Sequence, residues 1–374
     1  MKLRLLIAFI LSSLFGTAQN FYLLAGTYTS NGSKGIYVYR FNVQTGKATW
    51  VSNTDSATSP SFLVASADGN FVYTVNETSG ANPGRVTAYS FDKNSGSIKF
   101  LNSQLSGGDD PCHLALSKNG KWLAVANYSS GSLSAFSLNK NGSLNPYKQL
   151  MLDSGSSVNK ERQEKPHVHG TAFSPDGAYL FTPDLGTDKV MIYKFNDLAN
   201  NPLTRPSHPY AAVSPGNGPR HITFHPGKKF AYAINELSGT VTAFSYSNGK
   251  LKEIQEIITH PKDYKGQPGS AEIFTSPDGK FLYASNRGDE NNITIFSINA
   301  STGRLILKGY QSTLGKEPRN FIIDPTGNYL LAANQETDNI VIFKRNRQTG
   351  LLKETAEQIH VSKPVCLQMI KIGK

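Results

Sequence analysis

Three arginines, three histidines and two glutamates stand at related places between residues 167 and 319 of this 374-residue chain. They are His167 and His169 in PHVHG, Arg220 and His221 in PRH, Glu236 in INE, Glu272 in AEIF, Arg287 in SNRG and Arg319 in EPRN. A guanidinium is permanently charged and can hold an oxyanion through two parallel hydrogen bonds. An imidazole titrates near neutrality and can take a proton from water. A carboxylate beside them serves either as the base or as the group that orients an arginine, and sequence does not separate those two roles. Spacings that hold a metal, such as CxxC or HExxH, are absent, so neither a metal nor a cofactor is expected.

What could bring these residues together is a repeat. Short turns recur at SADG (Ser66), SKNG (Ser117), SPDG (Ser174), HPGK (His225), SPDG (Ser276) and DPTG (Asp324), spaced 51, 57, 51, 51 and 48 residues apart. Short β-branched and aromatic runs bounded by Gly, Pro and Asn flank each turn, the pattern of antiparallel strands. A period near 50 with several strands per unit predicts an all-β chain: a β-propeller of four-stranded antiparallel blades. Ten residues after each turn stands Asn76, Asn127, Asp184, Asn235, Asn286 or Asn334; this column is expected to satisfy turn backbone where the second strand ends. The segment FYLLAGTYTS–GIYVYRFN lacks a first strand, and KPVCLQMIKI is a first strand without the rest. Joining them closes the ring at seven blades and covers both edges.

In a hairpin, residues equidistant from the turn are neighbours. The column five residues before each turn (Ser61, Cys112, His169, Arg220, Ala271, Arg319), the next one (Phe62, His113, Gly170, His221, Glu272, Asn320) and the one after the Asx (Glu77, Tyr128, Leu185, Glu236, Arg287, Gln335) therefore converge on one rim. These positions differ from blade to blade, which symmetry does not require. Single members could be plain ion pairs, Arg220 with Glu236 first among them. As rim residues they are expected to add little to stability.

Residues 1–18 read as a secretory leader: Lys2 and Arg4, the apolar run LLIAFILSSLF, then Gly16-Thr17-Ala18. An uncleaved anchor is the alternative. Residues 19–374 are expected to form a single domain, periplasmic or secreted, with no membrane contact once the leader is removed. Residues 154–165 (SGSSVNKERQEK) read as an exposed loop. The net charge of +11 reads as a basic surface, with lysines at the hairpin tips; no basic helix or motif points to nucleic acid. Cys112 and Cys366 fall in non-adjacent blades and are expected to be buried free thiols. Oligomeric state is not legible.

The stretches PHVHG…SPDG…DLGTDKV (166–190), GPRHITFHPGKKFAYAINELSGTVTAF (218–244), AEIFTSPDGKFLYASNRG (271–288) and EPRNFIIDPTGNYLLAANQETDNIVIF (317–343), with GTYT at 26–29, resemble the seven-bladed propeller lactonase family. That family includes propeller-type 6-phosphogluconolactonase and carboxy-cis,cis-muconate cyclase. The resemblance covers the mature chain and implies metal-independent hydrolysis of a sugar lactone, an anionic one, to the hydroxy acid. It carries the cyclase's His, two Arg and Glu onto the His of PHVHG (His169, with His167 as the alternative), Arg220, Arg287 and Glu236. The other rim residues, His167, His221, Glu272 and Arg319, are expected to bind substrate. An export leader does not suit a cytosolic phosphorylated substrate, so another sugar lactone stays open. The alternatives are a lactonising cyclase and a non-catalytic propeller that binds carbohydrate or protein.

Overall fold

The recurring turn is built by its first side chain. In the copies at Ser66, Ser174 and Ser276, the serine Oγ accepts the N–H five residues on at 3.0 Å and donates to the Asp two residues on. The fourth position is left-handed, at φ +71° for Gly69, a conformation in which glycine carries no Cβ penalty. In the fourth copy His225 replaces the serine, and Lys228 holds the left-handed position at φ +62°.

The computed structural model describes residues 20–373; the expected leader lies outside them. Seven antiparallel sheets form the ring. In blade 1, Pro364–Lys371 is the inner strand, followed by Asn20–Thr27, Ile36–Asn42 and Ala48–Asn53. Leu23 pairs with Met369 and Gly26 with Cys366, so both chain ends share one sheet, as the truncated end repeats imply. Blades 2 to 7 open with inner strands Leu63–Ala65, Pro111–Leu116, Ala172–Phe173, Pro219–Phe224, Ser270–Thr275 and Pro318–Ile323. Blade 4 departs from four strands. Its outer edge is split into Leu203–Thr204 and Tyr210–Ala212, both on Lys189–Phe195, and the break contains Pro206 and Pro209, which have no N–H to give a ladder. No helix of the described residues is long and apolar enough to cross a membrane.

The core lies between blades. Second strands such as Phe230–Asn235 and Tyr329–Asn334 are buried along their whole length. Tyr232 and Ile234 of blade 5 pack on Ile273, Leu282 and Phe296 of blade 6. Blade 1 is gripped on both sides, by Leu331 and Ile342 of blade 7 and by Val72 and Tyr89 of blade 2.

The Asx column is architectural, but only partly in the expected way. Asp184 does accept turn N–H groups, from Gly186 and from His167. Asn127 and Asn235 instead donate across the next hairpin, to Ser132 and Ser134 and to Thr240 and Thr242. Buried side-chain hydroxyls on the third strand compete for the amide, and sequence columns do not reveal that competition.

Candidate active site

Two local devices bring the variable columns together. First, the N–H of the residue after the Asx donates to the carbonyl two residues before the first column, in every internal blade. Glu77 reaches Ser59, Tyr128 reaches Asp110, Leu185 reaches His167, Glu236 reaches Gly218, Arg287 reaches Gly269 and Gln335 reaches Glu317. This clamp sets Arg220 beside Glu236. Second, the inner strands carry a bulge at their start, with the register slipping between Pro111 and His113, Pro219 and His221, and Pro318 and Asn320. A bulge lets two consecutive residues face the same side. Arg220 and His221 are accordingly both turned inward, 2% and 4% exposed.

Glu236 is the centre of the upper layer. Its Oε2 lies 3.1 Å from Arg220 Nε, 3.1 Å from Arg287 Nη2 and 3.9 Å from His169 Nε2. Its Oε1 accepts from Arg162 Nη2 at 2.8 Å. The Arg220 contact is a close ion pair whose N–H is not aligned on the oxygen. Arg220 is fixed through Nη1 on the Ala271 carbonyl at 2.7 Å, and Arg287 through Nε on the Gly269 carbonyl at 2.9 Å. Burial pushes the Glu236 carboxyl up, but Arg287, Arg220 and Arg162 outweigh it and hold the pKa at about 2. Burial, then the charges of Arg319 and Arg287, bring Arg220 down to about 10. Burial and then Arg220 push His169 well below 6.5, so its imidazole is neutral.

His169 turns Nδ1 toward Cys112 Sγ at 3.7 Å and packs edge-on to Tyr128. His167 stands behind Tyr128, stacked on it at 4.5 Å, and reaches Glu164 at 3.2 Å. Arg319 lies on the same layer, over the Tyr28 ring and 3.7 Å from Glu77. Cys112 and Cys366 are buried and unbonded.

His221 and Glu272 belong to a second layer. His221 Nδ1 is 2.9 Å from Glu272 Oε1, Asn320 donates to the other carboxylate oxygen, and Asn320 in turn accepts from Leu367 N–H. His113 stacks on Phe62 at 3.8 Å and meets His221 edge-on at 4.7 Å. This layer floors a chamber of about 1080 Å³ that reaches toward the hairpin turns, where Ser66, Lys118 and Lys121 lie. His221 touches the Glu236 group through Arg220 Nη1 against its ring, at 3.1 and 3.3 Å, and edge-on against the His169 ring at 5.4 Å. The expectation of one rim is thus divided: His169, Arg220, Glu236, Arg287 and Arg319 gather on one side, His221 and Glu272 close off the other.

A family model described as "Lactonase, 7-bladed beta-propeller" matches residues 22–369. The chain belongs to that family. It is 41% identical to a 6-phosphogluconolactonase of Formosa agariphila over 93% of this chain and 99% of the relative. It is 36% identical to a 6-phosphogluconolactonase of Bacillus subtilis over 92% and 97%. The structure of a periplasmic gluconolactonase from Pseudomonas aeruginosa superposes with a TM-score of 0.90 at 35% identity, covering 95% of this chain and all of that one.

In this lactonase, Arg162 is the site residue that the repeat did not reveal. It comes from the polar loop 154–165, which is exposed at most positions yet pinned by Gln163. That side chain is fully buried and donates to the Leu185 carbonyl, while Asn159 Oδ1 accepts the N–H groups of Glu161 and Arg162. The six-residue excess of the single long repeat spacing marks where such a loop is inserted. Among the described residues no group of three or more His, Cys, Asp or Glu side chains is arranged to hold a metal ion.

Proposed function

We propose that this lactonase hydrolyses an anionic sugar lactone at the Glu236 cluster, with His169 as the general base. The observation that carries the reading is the sharing of one Glu236 oxygen by Arg220 and Arg287, both at 3.1 Å, with the neutral imidazole of His169 at 3.9 Å. Glu236, with a pKa near 2, is a weak base at neutral pH and serves to orient guanidiniums. His169 keeps a lone pair free for a proton. In the reaction, water adds to the ester carbonyl and its proton passes to His169. Arg287 and Arg220 stabilise the oxyanion that forms. The carbonyl returns, the ring C–O bond breaks, and His169 delivers the proton to the departing alkoxide. The product is the open hydroxy acid, ionised at neutral pH.

Four arginines (162, 220, 287, 319) face two glutamates (236, 77), which leaves two positive charges in surplus (4 − 2). That balance suits a phosphate or carboxylate on the lactone. 6-Phosphogluconolactone and gluconolactone, the substrates after which the relatives are named, are the first two to test. The leader-like residues 1–18 and the periplasmic relative support export, with residues 19–374 as the single mature domain.

The test is a lactone panel on mature protein, followed by pH-stat with the spontaneous rate subtracted, with and without EDTA. Turnover that survives EDTA and is lost in Arg287→Ala supports the reading; turnover untouched in Arg287→Ala and in His169→Gln overturns the site. Mass spectrometry of native protein should find an N-terminus near residue 19, and an intact Met1 would overturn export.

A further inference from the structure

Across the ring from Glu236, blade 2 presents a second glutamate at the same structural position. Glu77 N–H donates to the Ser59 carbonyl at 3.0 Å, the bond that Glu236 makes to Gly218 at 2.8 Å. Ser61 holds in blade 2 the column position that Arg220 holds in blade 5, and its N–H shares the Ser59 carbonyl with that of Glu77. The two carboxylates then diverge. Glu236 is met by three arginines. Glu77 accepts one hydrogen bond, from Tyr28 Oη at 2.8 Å on Oε1, and Arg319 stands off at 3.7 Å. Its Oε2 is buried and no donor among the described residues reaches it, and the Oγ of Ser61, a residue 3% exposed, likewise has no partner among them.

An ionised carboxylate offers about four acceptor positions, and a buried one without donors is costly. A group that meets Oε2 has to be a hydrogen-bond donor. A cation is disfavoured by the surplus of arginines nearby, and an anion by Glu77 itself. A hydroxyl is neutral, donates to a carboxylate oxygen and accepts from a serine. Glu77 is 17% exposed at its side chain and Arg319 16%, close to the 15% of Arg287. Cys112 links the two ends. Its Sγ is 3.7 Å from His169 Nδ1, and its thiol is pushed up first by burial and then by the charge of Glu77.

We propose that Glu77 and Ser61, backed by Tyr28, form a subsite that reads hydroxyl groups of the lactone while the ester lies at Glu236. This rests on the lactonase reading of the site and adds where selectivity for a polyhydroxylated ring arises. Glu77 acts by binding substrate and takes no part in proton transfer.

The experiment compares glucono-δ-lactone with δ-valerolactone, the same ring without hydroxyls, on wild type and Glu77→Gln. A hydrogen bond from a hydroxyl to a charged acceptor corresponds to about 10- to 100-fold. We expect kcat/KM for gluconolactone to fall by that factor, mainly through KM, while δ-valerolactone changes less than about 2-fold. Equal losses on both lactones, or none on either, overturn the subsite. Calorimetric binding of gluconate needs no turnover: weakening by about 10-fold or more in Glu77→Gln supports the subsite, and unchanged affinity overturns it. If wild type turns over neither of these lactones nor 6-phosphogluconolactone, the proposed function fails, and gluconate binding still decides the role of Glu77. Should Glu77→Gln not fold, Ser61→Ala serves in its place, with a smaller loss confined to the hydroxylated lactone.

Discussion

Arg287 places Nη2 3.1 Å from Oε2 of Glu236 across a blade boundary, with its own Nε tied to the Gly269 carbonyl. Its side chain is 15% exposed, so the guanidinium is held by protein on one side and open to a ligand on the other. Arg287→Ala should cut lactonase kcat by about 10²- to 10³-fold, the usual cost of losing one oxyanion donor. Little change in melting temperature should accompany it. A variant with full turnover would remove Arg287 from the reaction.

Arg220 is a poorer probe, and here the expectation of negligible stability cost for rim residues fails. Its side chain is 2% exposed and packs between Glu236 and the His221 layer. Removing one member of a buried ion pair typically costs about 3–5 kcal/mol. Arg220→Ala should therefore lose both turnover and melting temperature. Thermal melts beside initial rates separate the two effects, and an unchanged melt would show that the pair adds little to the fold.

The pH dependence follows from His169. Burial, and then Arg220, hold its folded pKa well below 6.5. The base is therefore already deprotonated at pH 6.5, and kcat/KM corrected for spontaneous hydrolysis should be flat from about pH 6.5 to 8. The acid limb should fall below 6.5. Stability has the same sign: His113, His169 and His221 all have depressed folded values. Their contribution is complete above the unfolded pKa of about 6.5 and is lost as pH falls toward the folded values. Histidine titration by NMR checks it; an imidazole at this site titrating at or above 6.5 would contradict the assignment.

Arg162 approaches Glu236 from the inserted loop and is 45% exposed. An ion pair that open to water is screened, so Arg162→Ala should change stability by less than about 1 kcal/mol. Its charge should matter to an anionic substrate. We expect KM for 6-phosphogluconolactone to rise about 3- to 10-fold at low salt, with the difference shrinking as ionic strength increases. An equal effect on uncharged δ-valerolactone would point to loop collapse instead.

The ring and its closure were legible because each repeat carries its own turn chemistry, and because KPVCLQMIKI and FYLLAGTYTS are visibly halves of one sheet. The gathering of His169, Arg220, Glu236 and Arg287 was legible for a related reason: columns at fixed distances from a turn must be neighbours. Three things were not. The division of Arg220 and His221 between two layers is not visible in the columns, which count distance from a turn and not depth along the channel. Arg162 lies in an insertion with no repeat partner. The split outer edge of blade 4 depends on how two prolines end pairing with a strand already in place.

The turn at His225 supplies a test of the repeat logic itself. Five internal blades place glycine at the fourth turn position, with φ between +67° and +78° (Gly69, Gly120, Gly177, Gly279 and Gly327). Blade 5 has Lys228 at φ +62°, exposed, its N–H on the His225 carbonyl at 2.8 Å. A left-handed non-glycine residue costs roughly 1–2 kcal/mol. Glycine gives back roughly 0.5–1 kcal/mol of that through its freer unfolded chain. Lys228→Gly should therefore stabilise by about 0.5–1 kcal/mol, an increase in Tm of roughly 1 °C for a domain of this size. Lys228→Ala keeps the Cβ and should gain nothing. The position is at the hairpin end, away from Glu236, so lactonase rates should match wild type in both variants. Equal melting temperatures for the glycine and alanine variants would mean that the lysine is not strained there.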